Sequence, residues 1–310
     1  MSSICPYPGL RPFNENESIF FKGREEHIDK IINQLQEKKY LMVTGASGDG
    51  KSSLIYAGLI PRSRAGFFKA RFNNWIIADL KPERSPLTNL AISLTQHLNL
   101  KNVAAVEEDL SYGFSSLIKI YKESSFYLDY ESDKYLNADF NEKQSLKNKS
   151  ANLLILIDQF EELFTNSENF NKGKPSLQAI TLINLIIETT KIATKQNIPI
   201  YIVSTMRSDY VGDCAVFKGL PELMVYSQFF VPRLKRQEIH RAILEPAKLS
   251  GNKINNRLIE RLINELGDGQ DQLPILQHAL NRIWRAHTDD TSSEMDLLHY
   301  AKVGDRKSVV

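Results

Sequence analysis

Gly45, Ala46, Ser47, Gly48, Asp49, Gly50, Lys51 and Ser52 spell GxxxxGK[ST], a spacing built to hold phosphate. The glycines permit a tight turn whose N–H groups face inward, and a helix opening near Ser53 would offer its positive end to the same oxygens. In such a loop Lys51 reaches the outer phosphates and the Ser52 hydroxyl holds magnesium. A plain glycine turn with a solvated lysine is the alternative. The flanks weigh against it, because the apolar run Tyr40 to Thr44 precedes the loop and a helical pattern, Ser53 to Ala57, follows.

A second set of candidates lies at the ends of two further apolar runs. Asn152 to Glu162 reads as a buried strand that terminates in Asp158, where P-loop ATPases place a carboxylate for magnesium beside the phosphate-loop strand. Glu161 and Glu162 follow, and either could orient or activate an attacking water, or serve only as favourable charge at a helix start. The run Ile198 to Val203 leads to Arg207, which could neutralise a terminal phosphate or simply pair with Asp209.

Positioning these groups requires a sheet with covered faces. Strand runs at Tyr40 to Thr44, Trp75 to Ala78, Leu153 to Ile157, Ile198 to Val203 and, more weakly, Met224 to Val231 alternate with helical patterns at Glu25 to Leu35, Leu87 to Leu98 and Leu177 to Ile192. That rhythm predicts right-handed crossovers and a parallel α/β sheet with helices on both faces. Pro6 to Phe13 is rich in proline and aromatics and predicts an extended strap packed on a neighbouring surface. Ser124 to Ser150 is polar without a sustained period and reads as a mobile excursion. From Arg233 onward the pattern is all-helical, over Glu238 to Leu244, Leu258 to Leu266 and Pro274 to Trp284, the last opened by a proline at the first helical position.

The bulk properties limit the function classes. A net charge of +2 over 310 residues gives no general electrostatic case for nucleic acid or an anionic membrane. No apolar stretch reaches a membrane span and no secretory signal opens the chain, so a cytoplasmic location is expected. Two cysteines, Cys5 and Cys214, suggest reduced thiols, and the six histidines show no metal spacing.

Taken together and in order, Pro6 to Phe13, Phe20 to Glu25, Gly45 to Leu54 with Ala57 to Pro61, Asp158 to Phe164 and Leu273 to Leu280 resemble the novel STAND NTPase family, type one, the signal-transduction ATPases with numerous domains. The resemblance implies an additional-strand P-loop NTPase core followed by a smaller all-helical domain, with ATP or ADP and Mg2+ as ligands. It puts Gly45 to Ser53 on the phosphates, Ser52 and Asp158 on magnesium, Glu162 first and Glu161 second as the water-activating residue, and Arg207 as a phosphate sensor. Arg24 resembles the arginine of the element that borders the adenine with the strap, although Lys22 is an insertion relative to the family's FFGRE. Pro274 is similar to the proline of a GxP element, with Gln272 where the glycine would stand.

The domains implied are residues 1–35 as strap and helix, 36–232 as the core with 124–150 as an insertion, and 233–304 as a helical lid. Asp305 to Val310 equal the translation of a common sequencing-adapter oligonucleotide, so they are expected to be a non-native tail on a truncated chain. The implied function is a slowly hydrolysing signalling switch that serves sensor and effector domains of a larger protein and self-associates in the ATP state. The competing classes are an ATPase acting on nucleic acid and a nucleotide-locked scaffold that never hydrolyses. A GTPase is disfavoured because Asn171 to Lys174 lacks the aspartate of NKxD.

Overall fold

The computed structural model describes residues 4–267, 271–288 and 294–304, and the tail proposed for 305–310 lies outside these described residues. The chain forms two compact units. One contains residues 31–44 and 62–230, the other residues 1–30, 45–61 and 231 onward.

The first unit is built on a five-stranded sheet. Its strands are β1 (Tyr40–Gly45), β2 (Asn74–Leu80), β3 (Ala151–Ile157), β6 (Ile200–Arg207) and β7 (Gln228–Phe230), ordered β2-β3-β6-β1-β7, with β4 (Phe170–Asn171) and β5 (Lys174–Pro175) forming a separate small hairpin. The ladders β2–β3, β3–β6 and β1–β7 are parallel. Every residue of β1 and β3 is buried, which is why both read as unbroken apolar runs instead of alternating ones. β6 stands between β1 and β3 as the additional strand, so Asp158 does not sit on the strand next to the phosphate-loop strand as the sequence suggested. The helix Pro86–His97 starts with a proline whose missing N–H costs nothing there, and Leu177–Gln196 is capped by the Ser176 hydroxyl accepting the Ala179 N–H at 3.2 Å. Their apolar faces join β1, β2, β3 and β6 in one core that includes Leu90, Leu94, Ile155, Leu182 and Ile186.

Two expectations change in this unit. Met224 to Val231 is only partly strand, because Leu220–Tyr226 is a helix opened by Gly219 and β7 begins at Gln228. Ser124 to Ser150 carries two short helices, Asp133–Leu136 and Phe140–Lys149, the second opened by a capping box between Asp139 and Glu142.

In the second unit the phosphate loop opens the helical turn Lys51–Ser53, which widens over Leu54–Leu59 into a π-helix. The strap forms neither helix nor strand and turns at Gly9 and Leu10. Its Tyr7 is fully buried, donates its hydroxyl to the Ile243 carbonyl at 2.6 Å and meets Trp284 edge-on at 6.2 Å. Among the described residues the helices Arg236–Leu249, Asn256–Glu265, Gln272–Thr288 and Leu297–Val303 follow. Pro274 is the third residue of its helix, not the first. Tyr7, Ile243, Leu258, Leu280 and Trp284 share this unit's core. Among the described residues no helix is long and apolar enough to cross a membrane.

Candidate functional site

The loop unit gathers Ser47 to Ser53, Arg24 and Pro274 around one pocket, with Gly45 and Ala46 leading into the loop. Gly48 and Gly50 have φ of +77° and +83°, the left-handed region where a side chain is strained, so the turn needs both glycines. A Cβ on Gly48 would also stand 2.7 Å from the Asp271 Cα and 3.2 Å from the Pro274 Cδ. The loop is tied internally, because the Asp49 carboxylate accepts the Ala46 N–H at 2.7 Å and the Lys51 ammonium donates to the carbonyls of Gly45 and Ala46 at 3.0 and 2.7 Å.

Arg24 holds the loop from outside. Its guanidinium, 3% exposed, donates to the Asp49 carbonyl at 3.0 Å and to the Pro232 carbonyl at 2.6 Å. Burial pushes it down to about 10 while Asp49 and Glu238 act in the opposite sense, so it remains a cation at neutral pH. The insertion of Lys22 has not displaced it from the loop. Ser53 accepts the Phe13 N–H at 3.1 Å, which fastens the strap to the loop's helix. Beside the loop's polar rim the pocket has an apolar lining that includes Pro8, Pro12, Phe13, Phe21, Leu273 and Pro274. A polar cradle closed by an ammonium beside an apolar wall of this kind suits a nucleotide: phosphate against N–H groups and Lys51, base against proline and phenylalanine. Asp271, which the sequence did not single out, adds a carboxylate at the rim by accepting the Ser47 hydroxyl at 3.0 Å.

The sheet unit gathers the remaining candidates at the carboxyl ends of β3 and β6. Asp158 is 6% exposed and its carboxylate accepts the Thr205 hydroxyl at 2.5 Å. Thr205 also takes the Gln159 N–H at 3.1 Å, so one β6 side chain orients the tip of β3. A threonine hydroxyl inside an apolar strand run is the signal that sequence reading passed over. Glu161 and Glu162 diverge. The Glu161 carboxylate accepts the Arg207 N–H at 3.3 Å, towards β6, whereas the Glu162 carboxylate accepts the Glu83 N–H at 2.8 Å, in the turn after β2. In the strand order β6 lies on the β1 side of β3 and β2 on the outer side. The Arg207 guanidinium donates to Asp209 at 2.6 Å, the pairing weighed against a phosphate-sensing role.

A sequence profile of novel STAND NTPase 1 matches residues 6–310. The chain belongs to the novel STAND NTPase 1 family. No curated protein matches this STAND NTPase in sequence. Its fold is similar to that of the Aeropyrum pernix ORC2 protein, solved as ADPNP–ADP complexes, with a TM-score of 0.58 at 11% identity over 94% of this chain and 71% of that one. It is also similar to Drosophila ORC bound to DNA, with a TM-score of 0.51 at 10% identity over 94% of this chain and 62% of that one. A chain of the E. coli MS115-1 HORMA:CdnC:Trip13 complex gives 0.50 at 14% identity over 94% and 91%. At these identities the likeness is one of fold, that of a P-loop NTPase with a helical C-terminal part.

Proposed function

We propose that this STAND NTPase is an ATP- and ADP-binding switch module that hydrolyses ATP slowly and controls the conformation and assembly of a larger multidomain protein. The observation that carries the reading is the pocket of the loop unit, where the phosphate loop, the strap and Pro274 enclose a polar cradle and an apolar wall. Lys51 and the loop N–H groups bind the phosphates, and the strap with Leu273 and Pro274 covers the base. Arg24 acts by holding the loop through the Asp49 carbonyl, in place of a direct adenine contact. Ser52 and Asp158 are assigned to magnesium, which neutralises phosphate charge when bound. Thr205 keeps the Asp158 carboxylate oriented. Glu161 is the better candidate for orienting water, since its carboxylate turns to β6, on the β1 side of β3, while that of Glu162 turns to the turn after β2. Arg207 would have to leave Asp209 to meet a phosphate.

A switch gains by retaining nucleotide, so the rate of steady-state phosphate release separates this reading from its competitors. The switch predicts slow release, unchanged by added DNA. Strong stimulation by DNA would make the protein a nucleic-acid ATPase, and no release in a chain that binds ATP would make it a locked scaffold.

A further inference from the structure

The sheet unit carries an open pocket at the other end of the strands. Lys39 immediately precedes β1, Tyr201 is the second residue of β6, Arg71 lies three residues before β2, and Asn197 caps the helix that leads into β6. These are the amino ends of the parallel strands, whereas Asp158 and Arg207 lie at the carboxyl ends. Gln36, Lys69 and Tyr130 complete the lining.

Three cations line this pocket and no carboxylate does. Lys39 is 6% exposed, yet its ammonium is met by a phenol: it donates to the Tyr201 hydroxyl at 3.0 Å and sits 4.1 Å from that ring's centre. Arg71 lies 5.2 Å from the Tyr130 ring and 5.6 Å from the Tyr127 ring, and its one hydrogen bond goes to the Leu128 carbonyl at 3.4 Å. Aromatic faces hold a cation in place without neutralising it, so the positive charge stays available to a ligand. Burying an ammonium with no counter-ion is costly. Lys39 also has φ of +61°, at a helix end where glycine is the unstrained choice.

We propose that this pocket is a second anion site that takes a phosphate-bearing small molecule, with Lys39, Lys69 and Arg71 as its donors and the Tyr201 hydroxyl completing the set. Ammonium and guanidinium groups clustered without acid partners suit a dianionic phosphate, and Arg71 supplies a planar fork for two of its oxygens. Because β1 (Tyr40–Gly45) begins directly after Lys39, an anion bound here acts on the strand that leads into the phosphate loop.

The test uses the Lys51→Ala chain, so that the phosphate loop does not contribute and a failure of the nucleotide reading is scored separately. Inorganic phosphate and glycerol phosphate are titrated at constant ionic strength against a chloride control, while the backbone amide resonances of Lys39, Arg71 and Tyr201 are followed. We expect saturable shifts at these residues with phosphate and none with chloride. Adding Lys39→Met or, separately, Arg71→Gln should weaken the affinity about tenfold or more. Arg71→Gln keeps the test valid if Lys39→Met fails to fold. Tighter binding of glycerol phosphate assigns the pocket to a phosphorylated metabolite, and tighter binding of inorganic phosphate assigns it to the free ion; either result sustains the site. Shifts that do not saturate, or equal affinity in the chain carrying Lys39 and Arg71 and in either substituted chain, overturn it.

Discussion

The adjacent glutamates Glu161 and Glu162 are separated by direction, because one carboxylate meets the β6 end at the Arg207 N–H and the other the turn after β2 at the Glu83 N–H. Glu161→Gln is therefore expected to retain ATP and lower the single-turnover hydrolysis rate by about a hundredfold, with a smaller effect from Glu162→Gln. The opposite ranking would return the role to Glu162. Asp271 places a negative charge against Ser47 at the rim of the phosphate loop. Asp271→Asn keeps a hydrogen-bonding partner for Ser47 and removes the charge, so ATP affinity should rise several-fold and more than ADP affinity; unchanged affinities in equilibrium titration would count against a repulsive carboxylate there. The places of the loop residues, Asp158 and Arg207 at the carboxyl ends of β1, β3 and β6 were legible in the sequence because their spacing relative to strand runs is itself the signal. Thr205 and Asp271 were not, since a lone threonine in a strand and a lone aspartate before a helix have many ordinary explanations. The choice between Glu161 and Glu162 was not legible either, as adjacency alone does not give side-chain direction.

At the scale of elements, Gly23 has the closest approach to a neighbouring element among the described glycines of the loop unit. Its φ is +85°, and a Cβ there would lie 2.4 Å from the Glu238 carbonyl oxygen on the helix Arg236–Leu249. Gly23→Ala therefore strains the backbone and forces the segment bearing Arg24 away from that helix. Denaturant unfolding should show a loss of about 3 kcal/mol or more, whereas a loss below about 1 kcal/mol would mean the contact relaxes freely. Buried strands and amphipathic helices were read correctly from apolar period, as β3 and Leu177–Gln196 illustrate. Phe140–Lys149 escaped that reading because it buries none of its residues, and its only sequence signal was the capping pair Asp139 and Glu142. Leu220–Tyr226 escaped because a seven-residue helix beside a strand has the same short apolar appearance as a longer strand.

For the whole molecule, Lys39 ties stability to pH. Burial pushes its ammonium from an ordinary 10.5 down to about 8. Between those values the unfolded chain holds a proton that the folded chain lacks, so stability rises with pH across the window; below about 8 both states are protonated and the folded state bears the full cost of the buried charge. Relative to Lys39→Met, the parent should gain on the order of 1 kcal/mol between pH 7.5 and pH 10, discounted for partial solvent access, and identical pH profiles would refute the effect. The larger claim is that the loop unit binds an adenine nucleotide through its phosphate cradle. Calorimetric titration of ADP and ATP with magnesium into the parent chain and into Lys51→Ala tests it most directly. The account predicts saturable tight binding by the parent and an affinity of that tight site lower by about a hundredfold or more in Lys51→Ala, at unchanged helical content. Equal affinity in the two proteins, or no binding by the folded parent, would contradict it.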